Sequence, residues 1–216
     1  IALPLMASAL WAQKEATDSI SMKGELEEII VSSTRLGNQT PLTTKTFTPE
    51  ELQQQNTGVN LPYLLTTTPS LVVTSDDGLG VGYTYFRVRG TDQNRINMTV
   101  NGIPLNDAES QTVFWVNMTD LASSMNSVHV QRGVGTSTNG AAAFGGSLNM
   151  KTENLAIVPY AELHGSYGAF NTSKLTVKAG SGLLRDRWAF DARLSTIQSD
   201  GFIDRARAEI RMQKIE

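Results

Sequence analysis

The chain has 216 residues, of which 40% are hydrophobic and 18% are charged, so it can form a sizeable core and is not disordered throughout. Its formal net charge of −3 argues against nucleic acid as the main partner, because binding to a duplex needs a basic face. It contains no cysteine, which excludes disulfides, thiolate nucleophiles and cysteine metal sites.

The N-terminus is apolar through Ala12 and then turns polar at Gln13. Small residues end the apolar run, and this pattern predicts residues 1–12 to be the remnant of a secretory signal peptide. A buried N-terminal helix is the alternative, which Pro4 and the abrupt change of polarity disfavour. The run is too short to span a bilayer, and no other segment is long enough for a transmembrane helix. A membrane protein with this sequence would therefore have to be a barrel.

Residues 13–40 are predicted to form a flexible polar tail with one β-branched stretch at its centre, Ile29-Ile30-Val31. An acidic pair precedes this stretch and a pair of serines follows it. Two interpretations are open. The stretch is either the first strand of the chain's own sheet or an extended segment offered to the sheet edge of another protein.

Residues 41–152 are predicted to form one compact α+β domain. A capping box at Thr48 and Glu51, with Pro49 at the first helical position, predicts a short helix that ends near Asn56–Gly58. A second short helix is predicted over residues 60–65, and loop or short turn structure over residues 107–118. Further strands are predicted at the alternating or β-branched segments 71–73, 125–133 and 146–152.

A period-two alternation from Phe86 to Val88, and again from Ile96 to Val100, predicts a hairpin with one buried face. Asn101-Gly102 follows as a tight turn whose residues accept positive φ. Arginines crowd this segment at positions 87, 89 and 95, and they need anionic partners, bulk water or a polar cavity. A solvated hairpin in any α+β domain and a hairpin that borders a polar cavity both fit this pattern.

The pattern changes after Pro159, where three runs alternate between apolar and polar residues. Each run has roughly the length of a tilted membrane-spanning strand, about 9–11 residues. The runs are 160–168, 172–180 and 187–196, with turns predicted at 168–171 and 184–186. From Arg205 the alternation decays into a charged stretch. A soluble meander that continues the preceding domain is the alternative to membrane strands.

The sequence favours neither an enzyme nor a resident cofactor. Gly135–Gly140 has the outer spacing of a phosphate loop but lacks the lysine that must reach the phosphates. The histidines, His129 and His164, have no second ligand at metal-binding spacing. Asp76 and Asp77 are adjacent, which is poor geometry for paired acid–base work. We therefore expect no catalysis, no metal site and no bound cofactor.

Three stretches, in this order, resemble the plug domain of TonB-dependent outer-membrane receptors, the active importers of iron chelates, cobalamin and some glycans. The first is residues 27–33, which resembles the TonB box. The second joins Phe86–Gly90 to Arg95–Pro104. The third joins Val128–Gly133 to residues 140–150.

The resemblance implies the fold class: an α+β plug domain, with a small mixed sheet and short helices, inside a 22-stranded barrel. Residues 159–216 would be the first antiparallel strands of this transmembrane β-barrel, here incomplete. The resemblance also implies that the TonB box is handed by strand addition to the C-terminal domain of TonB, in the TonB–ExbB–ExbD system. The box residues are Glu28, Ile29, Ile30, Val31, Ser32 and Ser33.

The resemblance further implies a latch, in which Arg89 and Arg132 pair with glutamates on the barrel wall and hold the plug. Loops near the substrate are expected to carry five residues: Tyr83, Tyr85, Asn106, Glu109 and Phe114. The short N-terminal tail cannot hold the extra domain of many glycan importers. It therefore favours iron chelates (siderophore or haem) or cobalamin-like ligands.

Residues 159–216 leave room for about four strands of barrel length, and the final strand lacks the aromatic residue that ends outer-membrane barrels. We therefore expect an N-terminal fragment, or a truncated or frameshifted reading frame, of an exported outer-membrane protein. Such a fragment lacks its own barrel, cannot transport alone and would be periplasmic. A soluble periplasmic binding or signalling module that reuses the plug fold is the alternative function.

Overall fold

The computed structural model describes residues 43–134, 143–185, 187–205 and 207–215. The predicted signal-peptide remnant, the tail with its predicted TonB box, and residues 135–142, which include the segment Gly135–Gly140, lie outside these ranges. Within them the helices are α1 (Pro49–Gln55) and α2 (Leu61–Leu64), with short 3₁₀ helices over Gln93–Arg95, Trp115–Met118 and Leu121–Ser124. The strands are β1 (Thr44–Phe47), β2 (Leu71–Ser75), β3 (Thr84–Val88), β4 (Thr91–Asp92), β5 (Ile96–Val100), β6 (Ile103–Pro104), β7 (Met125–Arg132), β8 (Gly146–Thr152), β9 (Tyr160–Tyr167), β10 (Ser173–Gly180), β11 (Asp191–Ser199) and β12 (Ala208–Ile215).

The strands form three sheets. The first has five strands in the order β1-β7-β8-β5-β6, in which β5 and β8 are parallel and the other neighbours antiparallel. The second is the small antiparallel sheet β2-β3-β4, and the third is an antiparallel meander of β9 to β12. A small mixed sheet with short helices, followed by antiparallel strands, is the predicted fold class, which is confirmed.

Both predicted helices are present. The Thr48 hydroxyl accepts a hydrogen bond from the Glu51 amide at 3.3 Å, and the Glu51 carboxylate accepts one from the Thr48 amide at 3.1 Å. This reciprocal cap satisfies two amides that the first turn leaves without helical partners. The helix ends at Gln55, with Asn56 as its C-cap, and Pro62 lies in the first turn of α2.

The predicted hairpin of residues 86–100 is wrong. β3 pairs with β2 and β4, whereas β5 lies in the five-stranded sheet beside β8 and β6. Residues 96–99 are all buried, so the polar side chains of β5 do not mark a solvent face. One of them, Thr99, instead donates a hydrogen bond to Asn149 on β8 at 2.7 Å. The predicted turn at Asn101 and Gly102 is present, with φ of 50° and 80°, and it joins β5 to β6.

The core lies between the five-stranded sheet, the small sheet and the two helices. Its fully buried large side chains include Phe47, Leu52, Leu61, Leu65, Met98, Trp115 and Leu148. Trp115 is only 1% exposed, and its ring centroid lies 6.1 Å from that of Phe86. The segment predicted as loop or short turn structure therefore supplies an aromatic anchor from a 3₁₀ helix.

The meander buries its polar face and exposes its apolar face. Along β10 and β11 the buried side chains are Lys174, Thr176, Lys178, Arg193, Ser195, Ile197 and Ser199. On the opposite face Leu175 is 47% exposed, Val177 42% and Leu194 55%. The predicted apolar faces are thus correct, and they point away from the rest of the chain.

Two details of the meander differ from the predictions. β11 begins at Asp191 rather than at 187, because Leu184 and Trp188 close a short bridge before it. β12 covers the charged stretch where the sequence alternation decays, because its backbone pairs with all of β11 from Ala192 to Ser199. Among the described residues, no helix is long and apolar enough to cross a membrane.

Candidate functional site

The two arginines predicted to form a latch lie together beside the turn that leads into β2. The Arg89 amide donates to the Ser70 carbonyl at 2.8 Å, and Arg132 Nη1 donates to the Pro69 carbonyl at 3.0 Å. The Arg89 guanidinium covers Gly133, where an added Cβ would lie 2.7 Å from Nη1. Within the described part of the chain, neither arginine has a carboxylate at ion-pair distance. Their pairing with a barrel wall stays a prediction.

Three of the five residues predicted near the substrate line one cavity of about 540 Å³. They are Tyr83, Tyr85 and Phe114, which are 52%, 44% and 49% exposed. The cavity lies between the β2–β3 pair and residues 112–115, and both Phe86 and Trp115 contribute to its lining. Aromatic walls with exposed phenol groups suit an amphipathic ligand, because the rings supply apolar contact and the hydroxyls can form hydrogen bonds.

Asn106 and Glu109 do not line this cavity. Asn106 Oδ1 accepts a hydrogen bond from the Met98 amide at 2.8 Å, and its Nδ2 donates to the Ile96 carbonyl at 3.0 Å. These bonds hold the loop after β6 against β5. Glu109 lies in an exposed turn, where its amide donates to the Asp107 carboxylate at 3.1 Å.

A buried ionic cluster joins the α+β domain to the meander, and the sequence prediction missed it. Asp120 lies at its centre: Oδ1 is 2.5 Å from Lys174 Nζ on β10, and Oδ2 accepts a hydrogen bond from the Ser195 hydroxyl on β11 at 2.6 Å. Arg193 Nη1 donates to the Asp120 carbonyl at 2.9 Å and lies 3.8 Å from Oδ2. The side chain of Asp120 is fully buried, and that of Lys174 is 5% exposed.

The α+β domain supplies two further groups to Asp120. The Ser123 hydroxyl donates to Oδ1 at 2.5 Å, and Asn56 Nδ2 lies 3.3 Å from Oδ1 and 2.9 Å from Ser123 Oγ. A second ion pair lies nearby, with Lys178 Nζ 2.8 Å from the Glu153 carboxylate. We call Asp120, Ser123, Asn56, Lys174, Arg193 and Ser195 the Asp120 cluster.

The surroundings of Asp120 stabilise its ionised form. Burial by itself opposes ionisation, but the Lys174 ammonium and the hydrogen bonds from that ammonium and two serine hydroxyls outweigh it. The pKa of Asp120 therefore lies below its ordinary value of 3.8. Asp120 has φ of 58°, a left-handed conformation that Asp tolerates better than most residues.

One signal in the sequence could have indicated this cluster. Lys174, Thr176 and Lys178 occupy alternate positions of a strand whose other face is apolar. A face with two lysines that is turned inward requires carboxylates from the domain that it covers. Asp120 itself carries no local signal for this role, because its partners on the meander, Lys174 and Ser195, are more than 50 residues away in the chain.

A second contact joins the two parts at the β2–β3 loop. The Phe202 amide donates to the Asp77 carbonyl at 3.1 Å, and the Phe202 ring lies against Gly78. The Asp77 carboxylate accepts hydrogen bonds from the amides of Gly80 and Val81, both at 2.9 Å, and so holds the β2–β3 loop. Among the described residues, no group of three or more potential metal ligands comes together.

Comparison with known proteins identifies the family. The model of the TonB-dependent Receptor Plug Domain matches residues 37–147, which is more than half of the chain. A comparison with curated proteins gives no match. Many solved structures are similar, including the following three.

The ferric yersiniabactin uptake receptor FyuA from Yersinia pestis has 16% identity and a TM-score of 0.53 over 73% of this chain. P. aeruginosa FpvA bound to heterologous pyoverdines has 16% identity and a TM-score of 0.58 over 74%. The alcaligin outer-membrane receptor FauA from Bordetella pertussis has 18% identity and a TM-score of 0.58 over 75%. The chain spans 24%, 21% and 27% of the lengths of these proteins, respectively. Its matched part shares the fold of the corresponding part of these proteins. By the match of the plug model, the chain belongs to the TonB-dependent receptor plug domain family.

Proposed function

We propose that the chain provides the plug and the first wall strands of an outer-membrane receptor that imports a ligand with energy from TonB. The observation that carries this proposal is the arrangement of the meander. Its polar face holds the α+β domain through the Asp120 cluster, and its opposite face exposes large apolar side chains. A barrel wall around a plug needs these two faces, because one meets protein and water and the other meets lipid.

The dimensions of the exposed face support membrane contact. Aromatic side chains stand near one end of the strands, at Tyr167, Phe170 and Phe202, and near the other end, at Trp188 and Phe190. Strands of eight residues are about 26 Å long at ~3.3 Å per residue, and a tilt of ~40° reduces their height to about 20 Å. This height is close to the apolar band of about 25 Å in outer-membrane barrels, which aromatic girdles flank.

The alternative, a soluble periplasmic module, would leave this face in water. Leu163 is 70% exposed, Val177 42% and Leu194 55%, and strand pairing places them side by side on one face of the sheet. Contiguous apolar patches of this kind are rare on soluble monomers. The observation therefore favours the outer membrane over the periplasm as the location.

For the ligand we propose an iron chelate, such as a siderophore or haem, or a cobalamin-like molecule. The aromatic cavity at Tyr83, Tyr85 and Phe114 is the proposed contact surface. It is next to the β2–β3 loop, which packs on the β11–β12 connection through Phe202. The similarity in fold to receptors named for ferric yersiniabactin, pyoverdines and alcaligin supports an iron chelate.

For energy coupling we propose strand addition between residues 28–33 and the C-terminal domain of TonB, which ExbB and ExbD energise. We further propose that Arg89 and Arg132 meet carboxylates on wall strands beyond β12. Two grouped guanidinium groups without described carboxylate partners are consistent with such a wall contact.

The experiment is an uptake assay in the source bacterium. Deletion of the gene that encodes the chain should abolish TonB-dependent uptake of one radioactively labelled ligand among ferric siderophores, haem and cobalamin, and the intact gene should restore it. A restored gene that carries both Tyr83→Ala and Tyr85→Ala should give a receptor whose affinity for the ligand is weaker by about tenfold or more. Phe144→Ala is the matched control, because Phe144 is 66% exposed and lies outside the cavity. Unchanged uptake of every ligand after the deletion would contradict the proposal.

A further inference from the structure

We infer that Asp120 is the release catch of the plug: the contact with β10 and β11 that must open before a pull on the N-terminal segment can move the plug from the wall. The role in release rests on the proposed function. The catch itself rests on the contacts of the Asp120 cluster. In this cluster the charges of plug and wall are the reverse of those in the predicted latch. Here the plug supplies the carboxylate and the wall supplies the cations.

Two wall strands, β10 and β11, hold one plug residue. Lys174 on β10 and Ser195 on β11 bind the carboxylate, while Arg193 on β11 binds the main-chain carbonyl of the same residue. Withdrawal of Asp120 breaks all these contacts together. It also leaves Lys174 and Arg193, which are both nearly fully buried, without their counter-charge. Because an unpaired buried charge is strongly unfavourable, the cluster resists small displacements and opens as a unit.

Water can reach the edge of the Asp120 cluster. A cavity of about 360 Å³ borders it, between α1 and the strands β9 and β10, and Asn56, Ser123 and Lys174 all contribute to its lining. Entry of water from this cavity would solvate the ammonium and the carboxylate as they part, and so lower the cost of separation. The ionic contacts of the cluster are therefore strong while water is excluded. When water enters, the charges can separate without either one being buried unsolvated in the apolar core.

A short stretch of chain, β1 and α1, leads from the N-terminal side to the Asp120 cluster. Only Thr48 and the seven residues of α1 separate β1 from Asn56, whose amide donates to Asp120 Oδ1 and Ser123 Oγ. β1 is the first described strand after the N-terminal segment, and it is tied to β7 by a 2.8 Å hydrogen bond between Thr46 and His129. A displacement of β1 and α1 would withdraw the Asn56 amide from the carboxylate. The first consequence of a pull would then be a weaker Asp120 cluster.

The test is hydrogen exchange of the 216-residue chain in detergent micelles, followed at the amides of residues 121–124. Asp120→Asn removes the charge at nearly constant shape and should raise their exchange rates by about 100-fold or more. Asp92→Asn is the matched control, because Asp92 forms an exposed ion pair with Arg87, and its effect should stay below about threefold. The double variant Asp120→Asn/Lys174→Met should recover part of the protection, because one buried cation, Arg193, then lacks its counter-charge instead of two.

A separate pair of variants tests the link between α1 and Asp120. Asn56→Ala should raise the same exchange rates by about tenfold, since it removes a donor from the carboxylate. Gln54→Ala, two residues earlier and exposed, should leave them unchanged. Equal effects of Asn56→Ala and Gln54→Ala would overturn the link, and equal effects of Asp120→Asn and Asp92→Asn would overturn the catch.

If Asp120→Asn also removes protection from the core strand β7, loss of the fold as a whole would explain the result. Ser195→Ala then distinguishes local opening of the cluster from global unfolding. This variant deletes one 2.6 Å hydrogen bond and should loosen residues 121–124 while β7 stays protected. Loss of protection in both places, or in neither, would overturn the inference. Because exchange needs neither TonB nor a ligand, failure here is distinguishable from failure of the proposed function.

Discussion

Trp115→Ala should destabilise the chain more than any change on its apolar outer face. Trp115 is 1% exposed, so the substitution removes about 200 Å² of buried aromatic surface. At roughly 25 cal/mol per Å², this burial stabilises the fold by about 5 kcal/mol. Two features reduce the loss. The aromatic cavity beside Trp115 admits water into the space left behind, and the indole N–H has no hydrogen-bond partner among the described residues. We therefore expect a loss of about 3 kcal/mol in the free energy of unfolding.

Urea denaturation of the full chain, followed by circular dichroism in one detergent, measures this loss. Trp188→Ala is the matched control, because Trp188 is 63% exposed and its removal should cost less than about 1 kcal/mol. Equal midpoints for the two variants would refute the reasoning that Trp115 anchors residues 112–118 to the small sheet.

Three further predictions concern the cap, a turn and pH. Thr48→Ala removes the capping box and should cost about 1 kcal/mol in urea denaturation, whereas an unchanged midpoint would exclude a stabilising cap. Gly102→Ala should also cost about 1 kcal/mol from backbone strain alone, because φ is 80° and the space is open; Gly165→Ala, which has open space and no positive φ, should be nearly neutral. Asp120 has a lowered pKa, so its stabilisation is complete above 3.8 and is lost as pH falls through the lower folded-state value. The chain should therefore lose stability on acidification more steeply than Asp120→Asn, and parallel pH profiles would contradict this assignment.

Local signals in the sequence were sufficient for the elements that local chemistry determines. Thr48, Glu51 and Pro49 specify the start of α1 without help from the rest of the chain, and the structure has this cap. The Asn101-Gly102 turn is likewise specified by two residues that accept positive φ. The apolar faces of β10 and β11 follow from period-two alternation, which holds whichever solvent the face meets.

Pairing between distant segments was not predictable in this way. The alternation in 86–88 and 96–100 is real, but it does not state which strand lies beside which. β5 pairs with β8, which lies about 50 residues later in the chain. The same limit hid the Asp120 cluster, whose charges come from residues 120, 174 and 193. β12 shows the reverse case, because backbone pairing with β11 makes a strand of a charged sequence with weak alternation.

Binding to TonB tests the central claim most directly. The measurement is the affinity of the C-terminal domain of TonB for the 216-residue chain, compared among wild type, Ile30→Pro and Ile20→Pro. Proline removes a main-chain donor from strand addition, so Ile30→Pro should weaken binding by about tenfold or more. Ile20→Pro places the same change in the predicted tail outside residues 28–33 and should bind like wild type. Equal affinity of all three chains, or no binding by wild type, would contradict a TonB-coupled receptor that is engaged through residues 28–33.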